Sequence, residues 1–333
     1  MPRGPRLDAE GALHHVMVRG IEKRKIFRSD EDRHDLLERF GVVVPETGTT
    51  IYAWSLLPNH FHLLLRSGRA GLSTFMRRIQ TGYAGSFNRR RKRTGHLFQN
   101  RFKSILVEED VYFLELVRYL HLNPLRAGIV KSMRGLDAYP WSGHAVLMGK
   151  QEADWQDIEF VLGQFGSTLG RARQAYRQFV AEGVSQGKRP ELSGGGLVRS
   201  IGGREKMSAF RRERQRWQAD ERVLGSGDFV AEVTKHEEER AARRIKPDEI
   251  ESTLAALLDR VCSKAGVGIE EVRGRGRKHN VSRSRAVFAH EAVKRLGISM
   301  KDVACFLGVS APAVSQMIAK AGKLEEEKQE KLN

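Results

Sequence analysis

The sequence predicts an α+β protein: a ferredoxin-like (split βαβ) domain with an antiparallel sheet, then a helical extension and a C-terminal helix-turn-helix domain. Three observations carry this prediction. Strand and helix patterns alternate in the order β-α-β-β-α-β-α, which is a split βαβ arrangement with one added helix. The turn pair Pro58-Asn59 joins the second and third strands into a hairpin. From Asp154 onward the spacing of apolar residues becomes helical.

Each element of the N-terminal domain has its own signal in the sequence. Strands are predicted over residues 13–19, 51–57, 61–66 and 102–108, and helices over 30–44, 72–91 and 110–122. Ser29 or Asp30 caps the first helix. Pro124 ends the third helix because proline has no backbone N–H to continue the hydrogen-bonding pattern.

Composition divides the chain into three predicted domains. Residues 1–150 form the sheet domain, 151–245 a helical connector and 246–333 the C-terminal domain. The glycine-rich stretch 194–203 is superficially like a phosphate loop, but it lacks the Gly-Lys-Ser/Thr ending and no strand leads into it. We interpret it as a turn or linker, and the charged stretch 204–245 as a helical connector packed on the sheet domain.

Charge and cysteine content narrow the class of function. The 333 residues carry a formal net charge of +17, and the basic residues form two separated runs, which favours a nucleic acid partner. The two cysteines, Cys262 and Cys305, match no zinc or redox spacing, and this usage suits a reducing cytoplasm. No apolar run approaches the roughly 18 residues of a membrane span, and the N-terminus lacks the apolar stretch of a signal peptide. The sequence therefore predicts a cytoplasmic protein.

Two histidines lie at the start of the third predicted strand. Successive side chains of a strand point to opposite faces, so His60 and His62 face the same way and Phe61 faces the other. Two imidazoles on one face can share a divalent metal ion. Near the end of the last predicted helix of the sheet domain, Tyr119 and Asn123 are spaced i and i+4 and share a helix face.

Each of these features also has a plainer interpretation. A His-x-His pair in an apolar run is more often structural than metal-binding, and a tyrosine on an amphipathic helix usually packs in a core. Tyr112 lies near the same helix face as Tyr119 and is an alternative nucleophile. His121 points away from that face. His14 and His15, in the first strand, either orient a ligand, contact DNA or pack at the strand edge.

Four spaced motifs, in the family's order within residues 10–145, carry a resemblance to a known family. They resemble the single-tyrosine transposases with a His-hydrophobic-His motif, which act on single-stranded DNA, and more narrowly their REP-associated branch. The motifs are His15-Val16-Met17-Val18-Arg19-Gly20, Leu57-Pro58-Asn59-His60-Phe61-His62, Gly95-His96-Leu97-Phe98-Gln99-Asn100-Arg101-Phe102-Lys103 and Tyr119-Leu120-His121-Leu122-Asn123-Pro124.

The resemblance implies a nuclease and strand transferase that acts at hairpin-forming, REP-like sites. Tyr119 would be the nucleophile, and His60, His62 and the side-chain oxygen of Asn123 would bind Mg²⁺ or Mn²⁺. Cleavage would leave a 5′-phosphotyrosine and a free 3′-hydroxyl, so that rejoining needs no ATP. Some family members have Gln where this chain has Asn123, and the shorter side chain changes the reach. The helical extension would cover a dimer face, which favours a monomer over a homodimer.

The last segment has the spacing of a helix-turn-helix. Ser299 and Ser310 cap two predicted helices separated by Gly308, and the small Ala304 lets the helices cross closely. This segment resembles the DNA-binding end of the bacterial replication initiator DnaA and Trp-repressor-like modules. An ordinary three-helix bundle is the alternative.

Basic and polar side chains in both terminal domains are predicted to contact DNA. The sheet domain would bind single-stranded or hairpin DNA, the C-terminal domain would bind duplex DNA, and the protein would be associated with the bacterial nucleoid. The predicted contacts are Arg19, Arg89, Arg90, Arg91, Lys92, Arg93, Arg101 and Lys103 in the first domain, and Arg275, Arg277, Lys278, Ser310, Ser315 and Gln316 in the last.

Two other functions compete with the enzyme. The first is a catalytically inactive, sequence-specific DNA-binding regulator in which the helix-turn-helix dominates. The second is RNA binding on the sheet, which needs exposed aromatic residues on adjacent strands; Tyr52, Trp54 and Phe61 offer these only in part.

Overall fold

The computed structural model describes residues 7–187, 189, 192, 222–242, 247–274 and 278–330. The chain divides into two compact units, Met1–Thr234 and Lys235–Asn333. The predicted connector therefore does not form a unit of its own: its described part up to Thr234 belongs to the first unit. The glycine-rich stretch 194–203, residues 204–221 and 243–246 of the charged stretch 204–245, Arg275 and Arg277 lie outside the described residues.

The first unit contains a mixed sheet and nine described helices. Its strands are β1 (Leu13–Arg19), β2 (Thr50–Leu57), β3 (His60–Arg66), β4 (Lys103–Val107) and β5 (Val223–Leu224). Its helices are α1 (Asp30–Thr47), α2 (Leu72–Arg90), α3 (Glu109–His121), α4 (Asn123–Arg126), α5 (Met133–Asp137), α6 (Gly143–Leu147), α7 (Ile158–Gly163), α8 (Leu169–Glu182) and α9 (Gly227–Ala242), which runs on past the end of the unit.

The sheet confirms the predicted ferredoxin-like fold. Its strand order is β2-β3-β1-β4-β5, and β1 pairs antiparallel with both β3 and β4, while β2 and β3 form the hairpin. The strands β1 to β4 and the helices α1 and α2 thus follow the split βαβ order. Ser29 begins α1 with a capping box to Asp32, as the capping signal in the sequence indicated.

The fifth strand corrects the prediction of a helical connector. Val223 and Leu224 pair in parallel with Leu106 and Val107 at the edge of β4. A two-residue strand is too short to show the alternation by which strands are recognised in a sequence. Its hydrogen bonds come from a strand that is distant in the chain: the Leu106 amide donates to the Arg222 carbonyl at 2.8 Å.

Helices cover both faces of the sheet. Residues of α1 and α2 pack with Val16, Phe61 and Leu63 on one face. Residues of α3, α7 and α8 pack with Leu64 and Ile105 on the other. As a consequence the aromatic residues Tyr52, Trp54 and Phe61 are at most 3% exposed. They are not available to stack on bases, so the structure gives no support to RNA binding on this sheet.

The second unit is helical. Its described helices are α10 (Ile250–Ala265), α11 (Ile269–Arg273), α12 (His279–His290), α13 (Met300–Leu307) and α14 (Ala311–Glu330). The helix predicted over 284–296 begins earlier, at His279, and its last part is a π-helical turn, Glu291–Arg295. The Ser299 hydroxyl caps α13 by accepting from the Asp302 amide, and Gly308 ends it with φ of 63°.

The helices α13 and α14 are consecutive in the segment for which a helix-turn-helix is predicted, and that assignment stays a prediction. They are bent by 101° at the break after Leu307. Val303, Ala304, Leu307 and Val314 pack into the core of this unit. Among the described helices, no single one is long and apolar enough to cross a membrane, and the bent pair Met300–Leu307 with Ala311–Gly322 meets that test by length and composition only.

Candidate active site

Three histidines and one tyrosine come together on the α3 face of the sheet. His60 and His62 lie on β3, with ring centroids 5.1 Å apart, and Phe61 packs on the opposite face. His15 on the neighbouring strand β1 stacks on His62 at 5.3 Å. The ring of Tyr119, from α3, lies 6.1 Å from His15 and 6.3 Å from His62. The fold thus joins three of the four sequence motifs: the motif that begins with His15, the His-x-His strand and the tyrosine helix.

The hydrogen bonds of His15 determine which nitrogen of His62 carries a proton. His15 Nδ1 lies 3.0 Å from the carbonyl oxygen of Leu192, which can only accept, so Nδ1 donates. In a neutral ring, Nε2 of His15 is then an acceptor. His62 Nδ1 lies 3.0 Å from that atom and must donate to it. Nε2 of His62 is consequently left with its lone pair.

The orientation of His60 is fixed in the same way by the turn before β3. Asn59 Nδ2 donates to the Lys23 carbonyl at 3.1 Å, which sets the orientation of the Asn59 amide. The amide oxygen then lies 2.6 Å from His60 Nδ1, which donates to it. His60 therefore also has an unprotonated Nε2. Histidines that bind metals commonly donate their other ring N–H to an oxygen in this manner.

Burial keeps both rings neutral. It lowers the pKa of His60 to about 4, and the positive charge of Arg19, which pairs with His60 across β1 and β3, adds to this effect. Burial also places the pKa of His62 well below its usual value, with smaller contributions from His15, His60 and Arg19. Near neutral pH the two Nε2 atoms are therefore free of protons, as metal ligands must be.

His60 and His62 offer two neutral nitrogen ligands for a divalent cation. A third ligand from the described part of the chain would have to be a side chain other than histidine, cysteine or a carboxylate. Within the described ranges, no group of three or more His, Cys, Asp or Glu side chains could hold a metal ion. Asn123, the predicted third ligand, is buried, and its amide nitrogen has no hydrogen-bond partner. It begins α4 rather than continuing the helix of Tyr119, because α3 ends at His121. Its amide oxygen would complete the set of His60 and His62.

Tyr119 is partly exposed, as a nucleophile that must reach a substrate requires. The guanidinium of Arg126 lies over its ring, 5.4 Å from the centroid. The alternative nucleophile Tyr112 is also partly exposed and packs against the same core. Tyr119 is favoured as the nucleophile because its ring contacts His15 and His62.

The other histidines of the sequence analysis lie elsewhere. His14 is fully buried, and neither of its ring nitrogens has a hydrogen-bond partner. His121 is fully buried and shares a hydrogen bond of 2.7 Å with the Tyr176 hydroxyl. The choice that the sequence left open at residues 14 and 15 is resolved by contact: His15, not His14, contacts a predicted metal ligand.

The basic run of the first unit separates into two groups. Arg90 and Arg91 form ion pairs with Asp32, at 3.2 and 2.8 Å, and so hold α2 against α1. Arg93 donates to the Asn88 side chain and to the His96 carbonyl. The exposed members of the predicted DNA contacts are Arg19, Arg89, Lys92, Arg101 and Lys103.

In the second unit, the four predicted DNA contacts that the structure describes are exposed: Lys278, Ser310, Ser315 and Gln316. Lys278 forms an exposed ion pair with Glu271 at 3.2 Å. Ser310 is exposed and accepts from the Ala313 amide, which makes it the cap of α14. Ser315 and Gln316 are exposed on the first turns of that helix, as the prediction of a recognition helix requires.

Comparison with known proteins finds matches to the N-terminal domain. Residues 9–123 match the family model of IS200-like transposases, and this range contains His60, His62, Tyr119 and Asn123. A solved structure of a REP-associated tyrosine transposase bound to a REP hairpin is 21% identical, and the match covers 47% of this chain and 93% of that one with a TM-score of 0.38. No curated protein matches the chain. Residues 9–123 of this chain are therefore similar to the domain of IS200-like transposases.

Proposed function

We propose that this protein is a metal-dependent enzyme of the REP-associated branch, which cuts and rejoins single-stranded DNA at hairpin-forming sites. The observation that carries the proposal is the contact between two distant motifs: Tyr119 of α3 lies beside His62 of β3. A plain core tyrosine would be buried, whereas this one is partly exposed, and its ring contacts His62, whose pKa is held well below its usual value by burial.

The proposed reaction is a transesterification. The Tyr119 oxygen attacks the scissile phosphorus and loses its proton to solvent, and the bond from phosphorus to the 3′ oxygen breaks. The departing 3′ oxygen takes up a proton, which leaves a 3′-hydroxyl and a 5′-phosphotyrosine. One phosphodiester replaces another, so attack by a second 3′-hydroxyl reverses the step without ATP.

A phenol is a weak nucleophile at neutral pH and needs assistance. Mg²⁺ or Mn²⁺ bound by Nε2 of His60, Nε2 of His62 and the amide oxygen of Asn123 would supply positive charge at the phosphate oxygens. The protein's own part is to keep both imidazoles neutral, with the proton on Nδ1 and the lone pair on Nε2. Asn59 does this for His60, and His15 does it for His62.

DNA would be held by the exposed cations of the first unit and by α14 of the second. A backbone contact by Arg89, Lys92 or Arg101 carries no sequence information, but it makes affinity fall with salt. The alternative, a regulator without catalysis, depends on Ser315 and Gln316 at the start of α14. DNA binding by α14 is compatible with an enzyme and with a regulator, so binding alone does not distinguish the two functions. The cleavage assay does, because only the enzyme cuts DNA.

The test uses labelled single-stranded hairpin oligonucleotides with Mg²⁺ or Mn²⁺ and detects a protein–DNA adduct that resists SDS. We expect an adduct that disappears with chelator and in Tyr119→Phe. Tyr112→Phe is the matched control, because it removes the same hydroxyl from the same helix, and it should keep the adduct. An adduct that survives Tyr119→Phe would refute the nucleophile, and a wild type that cleaves no hairpin would favour the regulator.

A further inference from the structure

Several arginine side chains are gathered beside Tyr119. Three arginines, Arg118, Arg126 and Arg189, lie around one carboxylate, Glu115. Glu115 forms ion pairs with Arg118 at 2.5 Å and with Arg189 at 3.3 Å. Burial lowers the pKa of Arg126; Tyr119 opposes this effect, and the nearby charges of Arg189 and Arg118 add to it.

Among these arginines, Arg126 has hydrogen-bond donors that no atom of the described residues accepts. Its Nη2 donates to the Gly183 carbonyl at 3.3 Å, while Nε and Nη1 are buried and have no hydrogen-bond partner. Arg118, in contrast, also donates to Phe179 and Gln186. Leaving buried donors of a charged group unpaired is costly, so the arrangement is stable only if something else satisfies them.

A third unpaired donor lies on the same short helix. The amide nitrogen of Asn123 is buried without a partner, and Asn123 and Arg126 are i and i+3 on α4, which places them on one side. Water could accept these hydrogens, but it would not balance the charge. An anion with several acceptor oxygens does both, and phosphate is such a group.

We infer that Asn123 and Arg126 form an anion site for a phosphodiester next to the Tyr119 ring, in which Arg126 is a catalytic residue that contacts the phosphate attacked by Tyr119. The identity of the phosphodiester as scissile DNA rests on the proposed function; the anion site itself does not. Arg126, Gly183 and Arg189 all lie beyond residues 9–123, which the family model matches. The Asn123 amide can serve both roles, with its oxygen toward a metal and its nitrogen toward the phosphate.

The test is a titration of the full chain with inorganic phosphate, without metal and without DNA. The protein is labelled with 3-fluorotyrosine at its six tyrosines, and Tyr119→Phe identifies the Tyr119 signal in ¹⁹F NMR. We expect a saturable shift of that signal. Arg126→Lys keeps the charge and should weaken binding about tenfold, whereas Arg126→Gln should abolish it. Arg134→Gln, the same change at an exposed arginine of α5, should have no effect.

The results separate the two proposals. The five other tyrosine signals report whether a variant has kept its fold. A Tyr119 signal that phosphate does not shift, or a shift that persists in Arg126→Gln, overturns the anion site. A saturable, Arg126-dependent shift in a protein that forms no DNA adduct supports the anion site and refutes the proposed cleavage reaction.

Discussion

Substituting His15 tests whether this residue prepares its neighbour His62 for the proposed role as a metal ligand. In the structure, His15 accepts from His62 Nδ1 and donates to the Leu192 carbonyl, both at 3.0 Å. His15→Leu removes the acceptor and leaves the buried Nδ1–H of His62 without a partner. The ring can then move its proton to Nε2, the atom required for metal binding.

The size of the effect follows from these hydrogen bonds. Leaving one buried donor unpaired costs about 1–3 kcal/mol, which corresponds to a dissociation constant weakened by about 5- to 150-fold. Outer-shell partners of metal-binding histidines have effects of about 10- to 100-fold on affinity. We therefore expect Mn²⁺ to bind His15→Leu about 10- to 100-fold more weakly than the wild type.

Two further variants separate the hydrogen bond from packing. The Gln side chain places an oxygen near the position of Nε2, so His15→Gln should keep the acceptor and most of the affinity. The Asn side chain reaches only the position of Nδ1, so His15→Asn can keep the bond to Leu192 but should bind like His15→Leu.

Mn²⁺ binding is measured by EPR, and the His62 tautomer by ¹⁵N NMR of labelled histidine in metal-free protein, with His62→Gln to identify the signal. Equal Mn²⁺ affinities in the Gln and Asn variants, or a His62 ring protonated on Nε2 in the wild type, would refute this reasoning. Because the tautomer is measured without metal, it remains informative even if Mn²⁺ does not bind.

Two predictions concern stability. Burial lowers the pKa of His14 from 6.5 to about 4, so between these values only the unfolded chain takes up the proton on this ring. As the pH drops through this range, His14 alone should lower the free energy of unfolding by about 3 kcal/mol, in addition to the losses from the other buried histidines such as His60 and His62. In urea titrations at both ends of the range, His14→Leu should reduce the loss by about that amount; an unchanged loss would contradict the burial of a neutral ring. A Cβ at Gly20 would lie 2.2 Å from the Arg24 carbonyl oxygen, so Gly20→Ala should cost about 1–3 kcal/mol. Gly85→Ala, where nothing lies within 4 Å, should be neutral or stabilising, and equal effects in thermal unfolding of the two variants would count against the steric argument.

Much of the first unit was predictable because its signals are local. The predicted strand at 13–19 coincides with β1, and the predicted helix at 72–91 differs from α2 by one residue. The alternation of side chains also placed His60 and His62 on one face. The strand β5 was missed because its two residues acquire strand geometry only from β4.

Other parts of the site depend on contacts that spacing does not encode. The role of His15 depends on the register of β1 against β3 and on the carbonyl of Leu192, which is far away in the chain. Arg126 looks like any basic residue until its unpaired nitrogens are located in the folded chain. In the basic run at 89–93, the sequence pattern predicted too many DNA contacts. Charge alone did not show that Arg90 and Arg91 form ion pairs with Asp32.

The short strand β5 has a consequence for how this protein can be divided. Val223 and Leu224 cover the outer edge of β4, where the amides of Leu106 and Glu108 donate to the Arg222 and Leu224 carbonyls. A fragment that stops at the end of the family match would uncover those amides and turn β4 into an open edge, which is a template for pairing with another chain. The match to the family model ends at residue 123, but the sheet is completed at residues 223 and 224 by a strand too short to be predicted from a sequence pattern.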